Sequence, residues 1–495
     1  MTDDDLRRLA IETFNEHTLA GLAVGVARDG GLGGFAGLGL ADAEQRRPVD
    51  RDTVFRVGSI SKTMTAIGVL QLVEEGRLEL DDPVAEHVRT VRLRQRAGDA
   101  PLTVRHLLTH GGGIGELRRW SDVVRPVAGL GVRPDRPPPL LADYYATGLR
   151  VGVAPGTKWA YANHGFALLG LLVEALRGEP FADVMRARIF DPLEMQHTDF
   201  VRSARVRGRL AVGYRLRGAR MKPVKDLEVA PAPAGSCYSS TADMARYAAA
   251  LAAGGAPLLG RSTLERMLEP QGVPGARTPG MGLAFFVDRA GEHRVAGHDG
   301  GWPGFVSSLL VAPDDGLAVV AFTNTITPIA PHLVAERVLR RLLDVPEPED
   351  PVVPDDPHLW RDVVGVYRPA RGLNTNVRVL PLIGGEAQVT VRRGRLTVRA
   401  ASPLKPLRKG LRLRAADAGD PLAFQVEHAG VRIPVSFERD AAGRVAAVRA
   451  GSSLGGFLHL HRRPRITSLR LWGRATAAGA AAAGATALAR RVRRR

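Results

Sequence analysis

One stretch restricts the fold more than any other: Phe55-Arg56-Val57-Gly58-Ser59-Ile60-Ser61-Lys62-Thr63-Met64. From Ile60 the chain runs apolar almost all round, through Met64, Ile67, Val69, Leu70, Leu72 and Val73, until Gly76. Glycine suits a helix C-terminus, and a helix apolar on every side is a buried helix. Ser59 stands at its start, where free N–H groups and the positive dipole end favour developing negative charge. Lys62 comes three residues later and shares that face one turn on. A hydroxyl and an amine held together at the head of a buried helix can act as a nucleophile and its base.

The flanking segments suggest how such a helix is enclosed. Residues 6–19 read as a helix. Leu22, Val24 and Val26 alternate with small residues, Arg28-Asp29-Gly30-Gly31 makes a turn, and Phe35 to Leu40 reads as the returning strand of a hairpin. Helical patterns follow at 103–110, 166–176, 181–190, 241–253 and 262–268, with a Pro- and Arg-rich, loop-like stretch at 116–158 and an irregular one at 201–235. Strand character returns at 282–287, 305–312 and 317–323, and a helix covers about 329–343. Strands at both ends with helices between predict an α/β core whose sheet is completed by both termini, carrying an inserted helical region. This domain spans 1–343. A Pro-rich acidic linker occupies 344–357. Residues 358–463 show a period of two, as at Gln388-Val389-Thr390-Val391, and predict a small antiparallel β domain.

Charge excludes one class of partner. Of the net +18, ten arginines after residue 461 supply +10 with no Asp or Glu among them, leaving +8 on the body. With no zinc spacing, RNP-type motif or heptad array, nucleic acid is not an expected partner. The Ala/Gly- and Arg-rich tail, 464–495, reads as a terminal helix or a disordered basic segment; peripheral contact with anionic lipid is the alternative. The acidic start Met1-Thr2-Asp3-Asp4-Asp5 lacks the pattern of a secretion signal, so a cytoplasmic location is expected. The lone Cys237 excludes an intrachain disulfide framework and a cysteine-based zinc site. His106 and His110 have no nearby carboxylate or thiol to complete a metal set and are expected to pack or cap. No metal or other cofactor is expected.

Two further motifs join the first: Tyr161-Ala162-Asn163, just ahead of an apolar helix, and Gly297-His298-Asp299-Gly300-Gly301 beside a strand. Singly, each leans toward structure: a serine and lysine on a helix surface, a buried tyrosine with a capping asparagine, a glycine-rich turn. In this order and context they resemble the penicillin-recognising serine hydrolases, in the branch of class C β-lactamases, family VIII-type esterases, D-aminopeptidases and DD-peptidases. Phe55-Arg56-Val57-Gly58, His106-Leu107-Leu108-Thr109-His110, Pro155-Gly156-Thr157, Pro192-Leu193-Glu194-Met195 and Pro303-Gly304-Phe305 agree, and the likeness covers about 8–343.

The resemblance implies a β-lactamase-like fold and a serine hydrolase. Ser59 would attack an ester or amide carbonyl, Lys62 and Tyr161 would carry its proton, and Asn163 would orient Lys62 and substrate. The N–H groups of Ser59 and Gly301, next to Gly300, would hold the oxyanion. Where β-lactamases of this type have Lys-Thr/Ser-Gly, this chain has His298-Asp299-Gly300. Neutral histidine and anionic aspartate would hold a substrate carboxylate poorly, unless Asp299 points away into the fold. A small neutral ester is the expected substrate. An N-acyl or D-amino-acid amide comes second, and an inactive binding or sensor protein is the reading from another class.

Overall fold

The structure, a computed structural model, describes residues 1–464 apart from 134–137, 218–219, 272–279, 328, 348–352, 354, 371, 373, 377–382, 429–430 and 453–455. Most of the basic tail expected over 464–495, and part of the linker expected over 344–357, fall outside the described residues. The chain divides into two compact units, one drawn almost wholly from residues 1–349 and the other from residues after 350.

The first unit is organised by an antiparallel sheet in the strand order Gly280–Met281, Phe286–Ala290, His293–Trp302, Phe305–Ala312, Leu317–Thr323, Gly21–Arg28, Gly31–Asp42, Arg47–Pro48. The N-terminal hairpin closes through Asp29 (φ 52°) and Gly30 (φ 81°), the two positive φ values a two-residue hairpin turn requires. Its first strand then pairs with the last strand of the C-terminal group, Val24 opposite Ala321. Both ends of the domain therefore build one sheet, as the sequence predicts.

Strand alternation divides the interior. Leu22, Val24, Val26, Leu310, Val319 and Ala321 face one core, closed by the helices Asp3–His17 and Ala330–Leu342. Ala23, Ala27, Leu309, Val311, Val320 and Phe322 face the other, which continues into the helical region. At its centre lies the helix Ser61–Glu74, with eleven of its fourteen residues buried. It ends at Glu75 and Gly76, whose φ of 67° a side chain would resist.

Several local expectations change. Ser59 does not open the α-helix itself: one 3₁₀ turn, Gly58–Ile60, precedes it. The 181–190 helix is α-helical only to Met185 and widens over 186–190. The strand expected at 282–287 is split, with Ala284 at φ 70° between the two pieces. Residues 116–158 are not plain loop: they hold the turns Trp120–Val124 and Pro126–Gly129, and a short strand pairs Val132 with Glu228.

The second unit is a nine-stranded antiparallel sheet, nearly closed into a barrel, around Trp360, Tyr367, Phe424 and Phe437. No helix among the described residues is long and apolar enough to cross a membrane.

Candidate active site

The 3₁₀ turn at Gly58–Ile60 is pressed against the strand His293–Trp302. Gly58 has φ 51°, and a Cβ there would lie 2.6 Å from the Gly301 nitrogen. A Cβ on Gly300 would lie 2.0 Å from the Val57 carbonyl oxygen, which also accepts a 2.8 Å hydrogen bond from Ser307 Oγ. Only glycine permits these approaches. Gly301, by contrast, has open space where its Cβ would be. Of the two motif serines, Ser61 is the one whose hydroxyl is tied to the backbone. Ser61 Oγ donates to the Gly58 carbonyl at 2.6 Å and accepts from the Cys237 N–H at 3.0 Å.

Lys62 is wholly buried, and the oxygens its Nζ meets include Ser59 Oγ at 3.0 Å, Asn163 Oδ1 at 2.8 Å and the Ala234 carbonyl at 2.6 Å. Asn163 does not cap its helix, Asn163–Arg177; its Nδ2 donates to the buried carboxylate of Glu116, so Oδ1 must face the lysine. Asn163 and Ala234 therefore offer only acceptors, while the Ser59 hydroxyl can accept or donate. An ammonium would donate to all three oxygens. A neutral amine would donate to two and take the Ser59 proton's hydrogen bond on its lone pair. Among these three oxygens, Ser59 is the one whose role changes between the two protonation states.

The Tyr161 ring lies with its centroid 4.8 Å from Lys62 Nζ. It stacks on His110 at 4.2 Å, and His110 Nδ1 accepts the Ala162 N–H. His106 completes the capping box of its own short helix with Thr103. Both histidines thus pack or cap, and among the described residues no group of three or more His, Cys, Asp or Glu is placed to hold a metal ion.

His298 reaches the same pocket, its ring 6.3 Å from Tyr161 and 5.4 Å from Phe286. Burial and the positive charge of Lys62 push its pKa down to about 4. Nδ1 lies 2.6 Å from the Asp299 carbonyl oxygen, an acceptor, so the proton sits there and Nε2 keeps its lone pair. Asp299 takes the alternative that the sequence leaves open and points away into the fold. Strand alternation turns its carboxylate to the opposite face of the sheet, where it meets His332 Nδ1 at 3.1 Å. Burial alone would lower the His332 pKa; the charge and hydrogen bond of Asp299 more than offset this and raise it. Any discrimination against anions falls to the uncharged His298, not to Asp299.

A pH signature follows from His298. Its folded pKa lies below the ordinary 6.5, so between there and about 4 the unfolded chain binds a proton that the folded chain does not. Stability contributed by this site is then lost as pH falls through that window. Melting temperatures from pH 7 to 4 should fall more steeply for the native protein than for His298→Gln; coincident slopes would contradict the assignment.

Three contributors have roles that the sequence motifs do not announce. Glu116 follows a glycine run and looks there like any surface acid. The Ala234 carbonyl is a backbone group that no side-chain motif announces. The third is a charged cluster holding the segment that leads to Ala234: the buried Arg56 bonds Asp226 at 2.8 Å and the Leu227 carbonyl at 2.7 Å, and stacks over Tyr238. Trp302 Nε1 donates to the same Leu227 carbonyl. Arg56 stands in the sequence beside Ser59 but has no visible partner there.

The Beta-lactamase family model matches residues 6–344. Esterase EstB of Burkholderia gladioli is 31% identical over 354 residues, covering 63% of this chain and 88% of its own. A putative penicillin-binding protein, PbpX of Bacillus subtilis (strain 168), is 28% identical, covering 60% and 69%. The octameric penicillin-binding protein homologue from Pyrococcus abyssi superposes with a TM-score of 0.61 at 21% identity over 94% of this chain and all of that one. By its motifs, its sheet and its match along residues 6–344, this chain belongs to the Beta-lactamase family.

Proposed function

We propose that the protein is a serine hydrolase that cleaves small neutral esters through an acyl-enzyme at Ser59. The observation that carries this reading is the 3.0 Å contact between Lys62 Nζ and Ser59 Oγ, with Asn163 Oδ1 and the Ala234 carbonyl beside it able only to accept. The neutral amine takes the Ser59 proton as Oγ bonds to the substrate carbonyl carbon. Tyr161, beside Lys62, relays a proton to the departing alcohol as the ester C–O bond breaks. Water then adds to the acyl carbon by the same route in reverse, releasing the acid and restoring Ser59. The N–H groups of Ser59 and Gly301 are the proposed oxyanion donors, held by the glycine contacts between Gly58, Gly300 and Val57. Such a donor is typically worth about 10²–10³ in rate.

The ester preference rests on His298 and on kinship. An uncharged imidazole among Tyr161 and Phe286 supplies no cation to hold a carboxylate. The 31% identity to an esterase, over 88% of its length, points the same way. Amide cleavage is the second reading, favoured by the similarity to a putative penicillin-binding protein. Purified protein should show a higher kcat/KM for p-nitrophenyl butyrate than for D-alanine p-nitroanilide. The reverse order would move the assignment to amides, and a single burst without turnover would favour a sensor.

A further inference from the structure

We infer that Glu116 is a positioning residue of this site: it fixes the amide of Asn163 so that Lys62 keeps its lone pair for the Ser59 proton. The inference rests on the hydrolase reading above. An asparagine amide is nearly symmetrical in shape but not in chemistry, and neither its volume nor its packing sets which end faces the lysine. Here the choice is made by the Glu116 carboxylate, which takes Asn163 Nδ2 and leaves Oδ1 to Nζ at 2.8 Å. In the flipped amide, Oδ1 would oppose the carboxylate and the NH₂ would oppose the amine. Lys62 could then satisfy Asn163 only by spending its lone pair on it, the same lone pair that must receive the Ser59 proton.

The fold commits structure to placing this carboxylate. Glu116 is only 6% exposed, and burying a carboxylate is costly unless it is hydrogen-bonded. The glycine run that ends the His106 helix supplies the turn. Gly113 has φ 66°, a Cβ on it would lie 2.1 Å from the Val153 carbonyl, and its own carbonyl accepts the Gly152 N–H at 2.8 Å. Ile114 then bridges to Val151, and two residues later Glu116 arrives at the start of the Asn163 helix. Beyond it Arg118 stacks on Tyr144, closing the segment from the other side.

The test is steady-state ester kinetics on four variants. Glu116→Ala should lower kcat about 10–100-fold with KM near the native value, since the reacting atoms are misoriented while the pocket is kept. Glu116→Gln should regain most of that loss, because its Oε1 still accepts from Asn163. The double variant Glu116→Gln/Asn163→Asp inverts the donor and acceptor between the two positions while again giving Lys62 an oxygen. It should turn over faster than Asn163→Asp alone, where two carboxylates would face each other, and this comparison stands even if Glu116→Ala does not fold. Native kcat in folded Glu116→Ala, a Gln variant as slow as Ala, or a double variant no faster than Asn163→Asp would each overturn the inference. Failure of the native protein to turn over ester or to label with a fluorophosphonate would instead overturn the hydrolase reading.

Discussion

Ser59→Ala should remain folded, form no covalent adduct with a fluorophosphonate, and hydrolyse p-nitrophenyl butyrate more slowly by up to about a millionfold, the scale seen when a nucleophile is removed from a concerted set. The folding part of the expectation has a structural reason. Removing Ser59 Oγ takes one contact from Lys62, and the Asn163 and Ala234 contacts remain. The chemical part is sharp because no neighbour can stand in. Ser61 is two residues away, but its hydroxyl is held between Gly58 and Cys237, and freeing it would take the acceptor from a buried N–H. Mass spectrometry of the treated protein distinguishes the outcomes. An adduct of full stoichiometry in Ser59→Ala would place the nucleophile elsewhere.

How much of this could be read beforehand follows the range of each interaction. The Ser59–Lys62 pair is local, fixed by helical spacing, and the apolar run behind it is buried as a run of that kind must be. The sheet built from both ends was also legible, because an Asp-Gly turn between alternating strands carries its own geometry. Longer-range features were not. Asp299 sits in the same short motif as His298, yet the period-two alternation of a strand sends the two side chains to different cores. Knowing that it faces His332 requires knowing which sheet face the helix Ala330–Leu342 covers. Glu116 lies 47 positions from Asn163, within a stretch whose proline and arginine content reads as loop. Its meaning appears only once the glycine turn is folded. Asn163 shows the converse: its sequence context suits a cap equally well, and only the positions of Lys62 and Glu116 decide between the two.

Lys62→Met should lower kcat for the ester by about 10²–10⁴, the usual contribution of a positioned base, and slow fluorophosphonate labelling of Ser59 in parallel. Methionine fills much of the lysine's channel but donates nothing. Asn163 Oδ1 and the Ala234 carbonyl would lose their buried donor, at a cost of about 1–3 kcal/mol each. Removing an amine from a fully buried position returns part of that cost, because its charged form is no longer desolvated. The melting temperature should therefore fall by less than two lost hydrogen bonds alone would dictate. Lys62→Arg separates charge from basicity. A guanidinium stays protonated, with a pKa above about 12, so it can donate to the same acceptors but cannot take the Ser59 proton. If Lys62 is the base, Arg should be as slow as Met in labelling. Labelling at the native rate in either variant would show that Ser59 loses its proton to another group, and Tyr161, whose ring lies 4.8 Å from that amine, would be the first to replace.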